Sequence, residues 1–556
     1  MLNKIILSPI QRFRNLLKID RKDITQVYIY ALFNGLVNLS LPLGIQAIIN
    51  LLQGGEPSTA WLVLVSVVII GVAFTGLFQL LQLRIVENIA QKIFSRASFE
   101  FAYRIPRIKH SSFENYYAPE LANRFFDTLT IQKGLPKILI DFSLALFQII
   151  VGLIVLSFYH PFFIFYSIVL VALIYIVLSI IAPKGLKTSL KESTFKYKIA
   201  FWIEEIARTK LSFKLINNAN FELEKSNFHV EKYLDAREGH FKVLVRQFLY
   251  LIGFKVLIAA GLLTIGSFLV FNQQMNIGQF VAAEIIIILI IASVEKLITS
   301  LDSIYDVLTA LEKIGYVTDM PLDRKDGLAL SNSHTSFSVS VNHLSFRHSN
   351  ATINTIDDLS FKIAMSKTAL IMGPSGSGKS TLMQLISGIL EPSGGLININ
   401  DIPLKSLNSD ELKKYLGYSL SNNLIFQGSI IDNILMGRDI STEALVNALN
   451  ITQLNEYLSS IQYGLKTMLD PEGRKIPRSI ENKILLARAI VNNPKLLILE
   501  DPLDHVLPDE KVQIIKKLVK NKEWTVIISA VDPIWSKFVD IEIQLEKGKL
   551  NSIEIK

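Results

Sequence analysis

Six long apolar stretches constrain this chain more than any other feature of its 556 residues. Each is close to the ~20 residues that a helix needs to cross a bilayer. They lie near 25–50, 59–84, 136–159, 161–183, 247–271 and 277–300. Half of all residues are hydrophobic, and the chain is too long for a single core. The sequence therefore predicts a six-helix transmembrane domain over 25–318, followed by at least one further domain.

The connections between these stretches differ in length and charge. The short ones, Gln53–Ser58, His160–Pro161 and Asn272–Asn276, contain neither Lys nor Arg. The N-terminal arm and the two long connections, 85–135 and 184–246, are rich in both residue types. Basic residues concentrate on the cytoplasmic side of membrane proteins. We therefore expect the N-terminus and both long connections to lie in the cytoplasm.

Both long connections carry helical patterns, over Glu87–Arg104 and Glu192–Phe213. These segments are too polar for lipid and too long for simple turns. We expect membrane helices that continue into the cytoplasm and are joined there by short transverse segments. The candidates are Tyr116–Asn123 and Ile206–Phe213, which are placed to press on a soluble domain.

The first 24 residues contain a helix signal of their own. Ser8 followed by Pro9 is typical of a helix N-cap with proline at the first helical position. Apolar Ile10 and Phe13 share one face, and basic residues occupy the other. We interpret residues 1–24 as an amphipathic elbow lying on the membrane surface. The alternative is an ordinary surface helix.

Glu284 is a carboxylate inside the sixth apolar stretch. An ionisable residue at such a depth is a functional candidate that faces a cavity or a pathway. The alternative is a helix face exposed to an aqueous vestibule, where the carboxylate is merely solvated. Glu284 is therefore a candidate for the substrate pathway, with both interpretations open.

Composition excludes several kinds of chemistry. The absence of cysteine excludes disulfides, thiol catalysis and cysteine-ligated zinc. A formal net charge of +8 would suit a nucleic-acid partner. The basic residues, however, cluster where membrane orientation accounts for them, and we expect no nucleic-acid partner.

The pattern changes near Met320, where a polar and turn-rich segment predicts a linker over 319–335. Short β-type runs then alternate with helical segments over 336–556. Such alternation predicts an α/β layer fold for this half of the chain.

A glycine-rich segment follows the buried run Thr368–Met372 and precedes a helical pattern. Its residues are Gly373, Pro374, Ser375, Gly376, Ser377, Gly378, Lys379, Ser380 and Thr381. Two glycines separated by four residues and followed by Lys-Ser form a phosphate-binding pattern. Backbone N–H groups and the Lys379 ammonium bind the phosphates, and the Ser380 hydroxyl is a ligand for Mg²⁺. A flexible Gly/Ser linker is the alternative, but linkers seldom separate a buried strand from an amphipathic helix.

Two further segments extend the pattern: Asn423–Ile434 (NLIFQGSIIDNI) and Leu486–Leu499 (LARAIVNNPKLLIL). With the six spans and the GPSGSGKST loop, they make the chain resemble an exporter-type ABC transporter half. The resemblance covers nearly the whole chain. Within the family, Ile277–Ala282 is similar to exporters of the haemolysin-secretion and bacteriocin type.

The resemblance implies a fold of the α plus α/β type. A six-helix transmembrane domain with long cytoplasmic extensions would precede a P-loop nucleotide-binding domain over 336–556. It implies ATP and Mg²⁺ as ligands and a second half-transporter as partner, in a homo- or heterodimer. A periplasmic adaptor protein is a further partner of the type. The implied location is the bacterial cytoplasmic membrane, with the nucleotide-binding domain in the cytoplasm.

The resemblance also assigns roles at the nucleotide. Glu500 falls at the Mg²⁺-binding carboxylate position, and Asp501 falls at the position of the catalytic base. His348 falls near the position of the aromatic residue that stacks on adenine, and Phe346 is a nearby substitute.

Most other catalytic positions depart from the family. Ser421 replaces the γ-phosphate-sensing glutamine, and Val531 replaces the switch histidine. The signature segment reads Ile476–Ile480, where Pro477 has no N–H to offer a phosphate. Asp501 is one methylene shorter than the usual base, and a misplacement of about 1 Å can cost ~10²-fold in rate. We therefore expect a site that binds MgATP and hydrolyses it slowly.

Two functions remain open from the sequence. The first is a subunit of an ATP-driven exporter for a peptide, a protein or an amphipathic substrate. The second is a noncatalytic subunit that binds ATP and assembles or regulates a membrane complex. A soluble P-loop kinase or GTPase on an unrelated anchor would not explain the long cytoplasmic extensions.

Overall fold

The computed structural model describes residues 7–53, 59–113, 116–215, 220–330, 334–349, 351–421 and 423–556. Residues 54–58 of the first short loop, 331–333 of the predicted linker and 1–6 of the predicted elbow lie outside the described residues. The chain divides into two compact units. The first comprises Met1–Arg107 and Tyr116–Met320, and the second comprises Ile108–Asn115 and Pro321–Lys556.

The first unit is helical throughout its described length. Its helices are α1 (Pro9–Ile19), α2 (Arg21–Asn38), α3 (Ser40–Gln53), α4 (Thr59–Arg104), α5 (Ala118–Asn123), α6 (Asp127–Pro136), α7 (Ser143–Ser157), α8 (Pro161–Arg208), α9 (Lys210–Leu215), α10 (Phe221–Phe271) and α11 (Ile277–Thr318). Among the described residues, six helical segments are long and apolar enough to cross a membrane, which confirms the predicted number of apolar helices. Helices α4, α8, α10 and α11 each exceed 40 residues, so each continues well beyond the ~20 residues that a bilayer needs.

Two prolines interrupt the regular helices of this unit. Helix α2 ends at Asn38, four residues before Pro42, whose ring would clash with the Asn38 carbonyl in an unbroken helix. After Pro136 the chain forms a π-helical segment, Lys137–Phe142, before α7 begins. Such local adjustments satisfy the backbone groups that proline frees, which lipid cannot do.

Helix α1 is tied at its start and along one side. The Ser8 hydroxyl accepts a bond from the Gln11 N–H, and the Gln11 side chain accepts one from the Ser8 N–H. This reciprocal cap satisfies two backbone groups that a helix start leaves unpaired. The Arg12 guanidinium forms ion pairs with Glu312 and Asp319 on α11. The position of α1 on a membrane surface stays a prediction.

Polar contacts join helices α8, α10 and α11 to one another. The His240 ring on α10 lies 2.7 Å from the Thr188 hydroxyl on α8 and 3.4 Å from the Asp302 carboxylate on α11. The Tyr305 hydroxyl accepts a bond of 2.8 Å from the Gln247 side chain. The Tyr305 ring lies directly against the backbone of Gly185, where a Cβ atom would come within 2.3 Å of it. Close packing and side-chain hydrogen bonds therefore both fix α8, α10 and α11.

The second unit alternates strands and helices, as the sequence predicts. Its strands are β1 (Val339–Phe346), β2 (Ile356–Ile363), β3 (Thr368–Met372), β4 (Gly394–Ile399), β5 (Ile402–Pro403), β6 (Leu416–Ser419), β7 (Gly428–Ser429), β8 (Met468–Leu469), β9 (Leu496–Glu500), β10 (Thr525–Ser529), β11 (Ile541–Glu546) and β12 (Lys549–Ile555). Its helices are α12 (Lys379–Ile386), α13 (Ser409–Tyr415), α14 (Ile430–Leu435), α15 (Thr442–Thr452), α16 (Leu454–Ser460), α17 (Arg478–Ile490) and α18 (Pro508–Lys520).

The central sheet positions the functional loops. Its strand order is β12-β11-β3-β10-β9-β6, and all neighbours are parallel except β11 and β12. Because these strands run the same way, the loops that follow β3, β6, β9 and β10 leave from one edge of the sheet. In open α/β sheets, ligands bind at this edge. A separate antiparallel sheet, β2-β1-β4-β5, packs its apolar residues into one of the two cores of the unit.

The segment Ile108–Asn115 groups with the second unit, although it belongs to the first long connection. The Lys109 N–H donates to the Pro321 carbonyl (2.9 Å), and the Lys109 ammonium pairs with Glu391 (2.6 Å). Both predicted transverse segments, Tyr116–Asn123 and Ile206–Phe213, belong to the first unit. That either of them presses on the soluble domain stays a prediction.

Substitution of Gly185 tests the packing against Tyr305. We expect Gly185→Ala to lower the thermal stability of the full chain in detergent, since overpacking costs about 1–3 kcal/mol. Gly239→Ala is the matched control, because a Cβ there meets no atom within 4 Å. Helix propensity alone favours alanine by up to about 1 kcal/mol. A thermal-shift assay in which Gly185→Ala matches or exceeds Gly239→Ala would contradict the close packing.

Candidate nucleotide-binding site

The glycine-rich loop connects β3 to α12 at the centre of the parallel sheet. A Cβ atom at Gly373 would lie 2.2 Å from the Leu545 carbonyl oxygen on β11, so only glycine fits there. Gly378 has a φ of +97°, a left-handed conformation that favours glycine. Both glycines are therefore required by the path of the backbone as well as by the pattern.

Lys379 is the first residue of α12, and its ammonium contacts the loop that precedes it. The Nζ atom donates to the carbonyl oxygens of Gly373 (2.7 Å) and Pro374 (2.9 Å). No carboxylate of the described residues pairs with this ammonium, which leaves its charge available to a phosphate. The next residue, Ser380, is exposed, as a hydroxyl that binds Mg²⁺ would need to be. The geometry is that of an anion site at a helix N-terminus lined by backbone N–H groups.

Glu500 ends strand β9, two strands away from β3. Its side chain is almost fully buried, with 7% exposure. The Oε2 atom accepts a hydrogen bond of 3.0 Å from the backbone N–H of Ser421, which follows β6. Within the described residues, no cation pairs with this carboxylate. A buried carboxylate without a cation suits a divalent metal ion.

Asp501 adopts a strained backbone conformation, with a φ of +41°. Its N–H donates to the Ser529 carbonyl (2.8 Å), and its Oδ1 atom accepts a bond from the Val531 N–H (3.2 Å). These two bonds hold the residue against the end of β10. Non-glycine residues in such conformations cluster at functional sites.

Partial burial raises the pKa of the Asp501 carboxyl, and the nearby Glu500 and Asp504 carboxylates act in the same direction. The Val531 N–H and the Lys379 ammonium oppose this rise. A carboxyl with a raised pKa stabilises the fold most at acid pH, and this contribution is lost as the pH rises through the raised pKa. Although part of the Asp501 side chain is covered, much of it still faces solvent. Solvent screening therefore keeps the effect of Asp501 on stability small.

The residues at the predicted switch and signature positions offer few groups that could bind a phosphate. Val531 is 72% exposed and offers only an apolar side chain at the end of β10. Helix α17 begins directly after Pro477, and no side chain caps its N-terminus. Arg478 at its first position pairs with Glu481 in the same helix (3.0 Å). These are the side chains that the sequence places at the switch and signature positions.

Near the adenine position, the structure separates the two aromatic candidates. His348 is exposed and lies edge-on to Phe346, with 4.9 Å between ring centroids. Phe346 is 5% exposed and belongs to the core beneath β1, so the expectation that it could replace His348 is wrong. The physical reason is position: Phe346 ends β1 on the same buried face as Leu344, whereas His348 lies beyond the end of the strand.

A buried network around Asn433 was not predicted. The Asn433 side chain bonds to both the N–H and the carbonyl of Phe426 (3.1 and 3.0 Å). The Arg488 guanidinium donates to the Asn433 carbonyl (2.7 Å) and to the Leu424 carbonyl (3.2 Å). Burial lowers the pKa of Arg488. Arg488 lies in the LARA segment and its partners lie in Asn423–Ile434, so both segments that carried the resemblance contribute to this network.

The charged residues of the membrane helices lie outside this site. Lys255 pairs with Glu295 across α10 and α11, at 2.6 Å. Glu284 is partly buried on α11. Its role in a substrate pathway stays a prediction.

Two family models match the chain. The model described as ABC transporter transmembrane region matches residues 26–294, and the model described as ABC transporter matches residues 356–504. Their order along the chain is the order of the two structural units. Together they account for most of the sequence.

Curated relatives match different shares of the chain. The alpha-hemolysin translocation ATP-binding protein HlyB of Escherichia coli is 28% identical over 292 residues, 52% of this chain and 41% of the relative. A putative export ATP-binding/permease protein of Rickettsia typhi is 25% identical over 475 residues, 84% of this chain and 81% of the relative. The matched part thus spans less than half of HlyB and most of the Rickettsia protein.

A solved structure has the same fold. It is described as a bacterial Atm1-family ABC exporter with ATP bound, and it superimposes with a TM-score of 0.81. The superposition covers 96% of this chain and 95% of that one, at 17% sequence identity. The fold is therefore that of an exporter with a transmembrane part and a nucleotide-binding part, as the sequence predicts.

Asn433→Ala tests the buried network. We expect a lower unfolding temperature, because each buried partner left without a hydrogen bond costs about 1–3 kcal/mol. Asn447→Ala, at an exposed position of α15, is the matched control and should unfold like the unmodified chain. Equal unfolding temperatures for the two variants in differential scanning calorimetry would show that the network contributes nothing.

Proposed function

The chain belongs to the ABC transporter family, and on this premise we propose that it is one half of an ATP-driven exporter. Its substrate would be a peptide, a protein or an amphipathic compound that leaves across the bacterial cytoplasmic membrane. The relatives named for alpha-hemolysin translocation and for export support this class of cargo. The N-terminus and the nucleotide-binding unit would lie in the cytoplasm, as the basic connections indicate.

One observation supports this proposal above the others. A phosphate-binding loop, whose lysine pairs with no carboxylate of the described residues, lies at the ligand-binding edge of a parallel sheet. The same chain has six apolar helices of membrane length among its described residues. A nucleotide bound at the loop would favour one arrangement of a two-state assembly over another. The long helices that continue past the bilayer would carry that change to the membrane.

The residues present fit a Mg²⁺ ion beside the nucleotide. Ser380 supplies an exposed hydroxyl, and Glu500 supplies a buried carboxylate that no described cation neutralises. Mg²⁺ favours such oxygen ligands together with phosphate oxygens and water. When bound, the ion would neutralise part of the charge on the phosphates. The remaining loop residues, from Gly373 to Thr381, would bind the phosphates.

We further propose that hydrolysis at this site is slow. The Asp501 Oδ1 atom already accepts a hydrogen bond from the Val531 N–H, so one of the two carboxylate oxygens that a base would use is engaged. Ser421 and Val531 lack the reach and the polarity to orient water or sense the γ-phosphate. Interactions with the transition state are thus weakened while those with the bound nucleotide remain, which reduces turnover more than affinity.

Because the chain resembles half-transporters, the expected partner is a second half-transporter chain. Whether that partner is a copy of this chain or a different chain is open, as is the participation of a periplasmic adaptor protein. The signature helix α17 begins after Pro477, so the nucleotide on the partner would lack one backbone donor from this chain. This loss favours a second candidate function, a noncatalytic subunit that binds ATP and assembles or regulates the complex.

Loss of the loop lysine tests nucleotide binding. Lys379→Ala should weaken ATP binding by at least about 100-fold, because two lost hydrogen bonds to charged oxygens together cost about 3–6 kcal/mol. Titration of a fluorescent ATP analogue into the chain in lipid nanodiscs measures this affinity. Lys516→Ala, at an exposed position of α18, is the control and should bind like the unmodified chain. Undiminished binding by Lys379→Ala would contradict the proposed site.

Removal of the Asp501 charge tests catalysis. Asp501→Asn should change the ATPase rate by less than about threefold, whereas loss of a working general base costs at least ~10²-fold. Phosphate release by the purified chain in lipid measures this rate, with Lys379→Ala as the background. A rate that depends on Lys379 and falls sharply in Asp501→Asn would support a catalytic exporter subunit. Tight binding without turnover would support the noncatalytic subunit.

A further inference from the structure

Glu500 contacts the loop that follows β6. Its Oε2 atom accepts the Ser421 N–H at 3.0 Å, and its Oε1 atom has no hydrogen bond to a described residue. Ser421 lies just past β6, whose Ser419 is level with Leu499 on β9. The Glu500 side chain at the end of β9 therefore bonds to the backbone of the loop that follows the neighbouring strand, β6.

The loop beyond Ser421 is held elsewhere by contacts that do not involve the site. The Leu424 carbonyl accepts a bond from Arg488 on α17, and the Ile425 carbonyl accepts one from the Glu472 N–H (2.9 Å). Phe426 is fixed at both backbone groups by Asn433. The hydrogen bond from the Ser421 N–H to Glu500 thus links this loop directly to the end of β9.

The length of the Glu500 side chain is essential to this contact. An aspartate at the same position would be shorter by about 1.5 Å, one carbon–carbon bond. From the same backbone position, its carboxylate would not reach the Ser421 N–H.

We propose that Glu500 joins metal binding to this loop, with Oε1 available to Mg²⁺ while Oε2 stays on the Ser421 N–H. The carboxylate then acts as a bridge, so that a bound ion fixes the carboxylate and the carboxylate fixes the loop. Binding of the metal–nucleotide complex strengthens the hold on Ser421, and nucleotide without metal does not. The inference rests on the proposed binding of MgATP. It adds that metal binding also stabilises the loop after β6, which leads to α14.

Hydrogen exchange at the Ser421 amide measures the bridge directly. The full chain in nanodiscs is compared with ATP plus Mg²⁺ and with ATP plus a chelator, and peptides that contain Ser421 are followed by mass spectrometry. We expect exchange to be about tenfold slower with Mg²⁺ than with the chelator. ATP affinity is measured in the same two conditions.

Two substitutions separate the two oxygen contacts. Glu500→Asp keeps a negative charge for the metal, but its carboxylate does not reach the Ser421 N–H. The Ser421 amide should therefore exchange fast in both conditions, while Mg²⁺ still raises the ATP affinity. Glu500→Gln keeps an acceptor for the amide and loses the charge. Its Ser421 amide should stay protected, and the gain in affinity from Mg²⁺ should fall by about tenfold or more. Glu523→Asp and Glu523→Gln, at an exposed position, are the controls and should behave like the unmodified chain.

The outcomes distinguish this inference from the proposed function. If ATP binds but Mg²⁺ leaves the Ser421 exchange unchanged or makes it faster, the bridge is wrong and the nucleotide site stands. If Glu500→Asp keeps the Mg²⁺-dependent protection, the bridge is likewise wrong. If ATP binds in neither condition, the proposed function itself fails.

Discussion

The placement of strand β3 between β10 and β11 determines what the rest of the nucleotide-binding unit can do. Parallel pairing on both sides fixes the strand end, and the Leu545 carbonyl leaves room only for a glycine at Gly373. The loop that follows must therefore turn at the ligand-binding edge of the sheet. Lys379 and the start of α12 are positioned by this turn, and the acidic pair reaches the same edge from β9.

Affinity and turnover depend on different parts of this edge. The groups suited to bind phosphates are backbone N–H groups and one lysine. A single loop supplies all of them, and the sheet fixes the conformation of this loop. The groups that would speed hydrolysis come from four separate segments, which carry Ser421, Pro477, Asp501 and Val531. Under the proposal of slow hydrolysis, each of these residues lacks the reach, the polarity or the N–H that the family pattern has at its position. A site can thus lose catalysis residue by residue while its binding loop stays intact.

The sequence predicted the features that depend on local pattern, and it missed those that depend on tertiary contact. Apolar length gave the six spans, and glycine spacing gave the loop, because lipid and phosphate each impose a local requirement. The buried position of Phe346 follows from strand alternation across a sheet whose pairing was unknown. The grouping of Ile108–Asn115 with the second unit, and the bond between Glu500 and Ser421, join residues far apart in the chain. No local pattern encodes such contacts.

The fate of bound nucleotide tests the central claim most directly, namely that this site retains its grip on ATP and has lost most of its catalytic power. The unmodified chain in nanodiscs would be loaded with radiolabelled ATP and Mg²⁺, freed of excess ligand, incubated, and its bound nucleotide separated by chromatography. The account predicts close to one nucleotide per chain, recovered almost entirely as ATP after a time in which an ordinary enzyme turns over many times. Recovery chiefly as ADP, or no retained nucleotide, would contradict it.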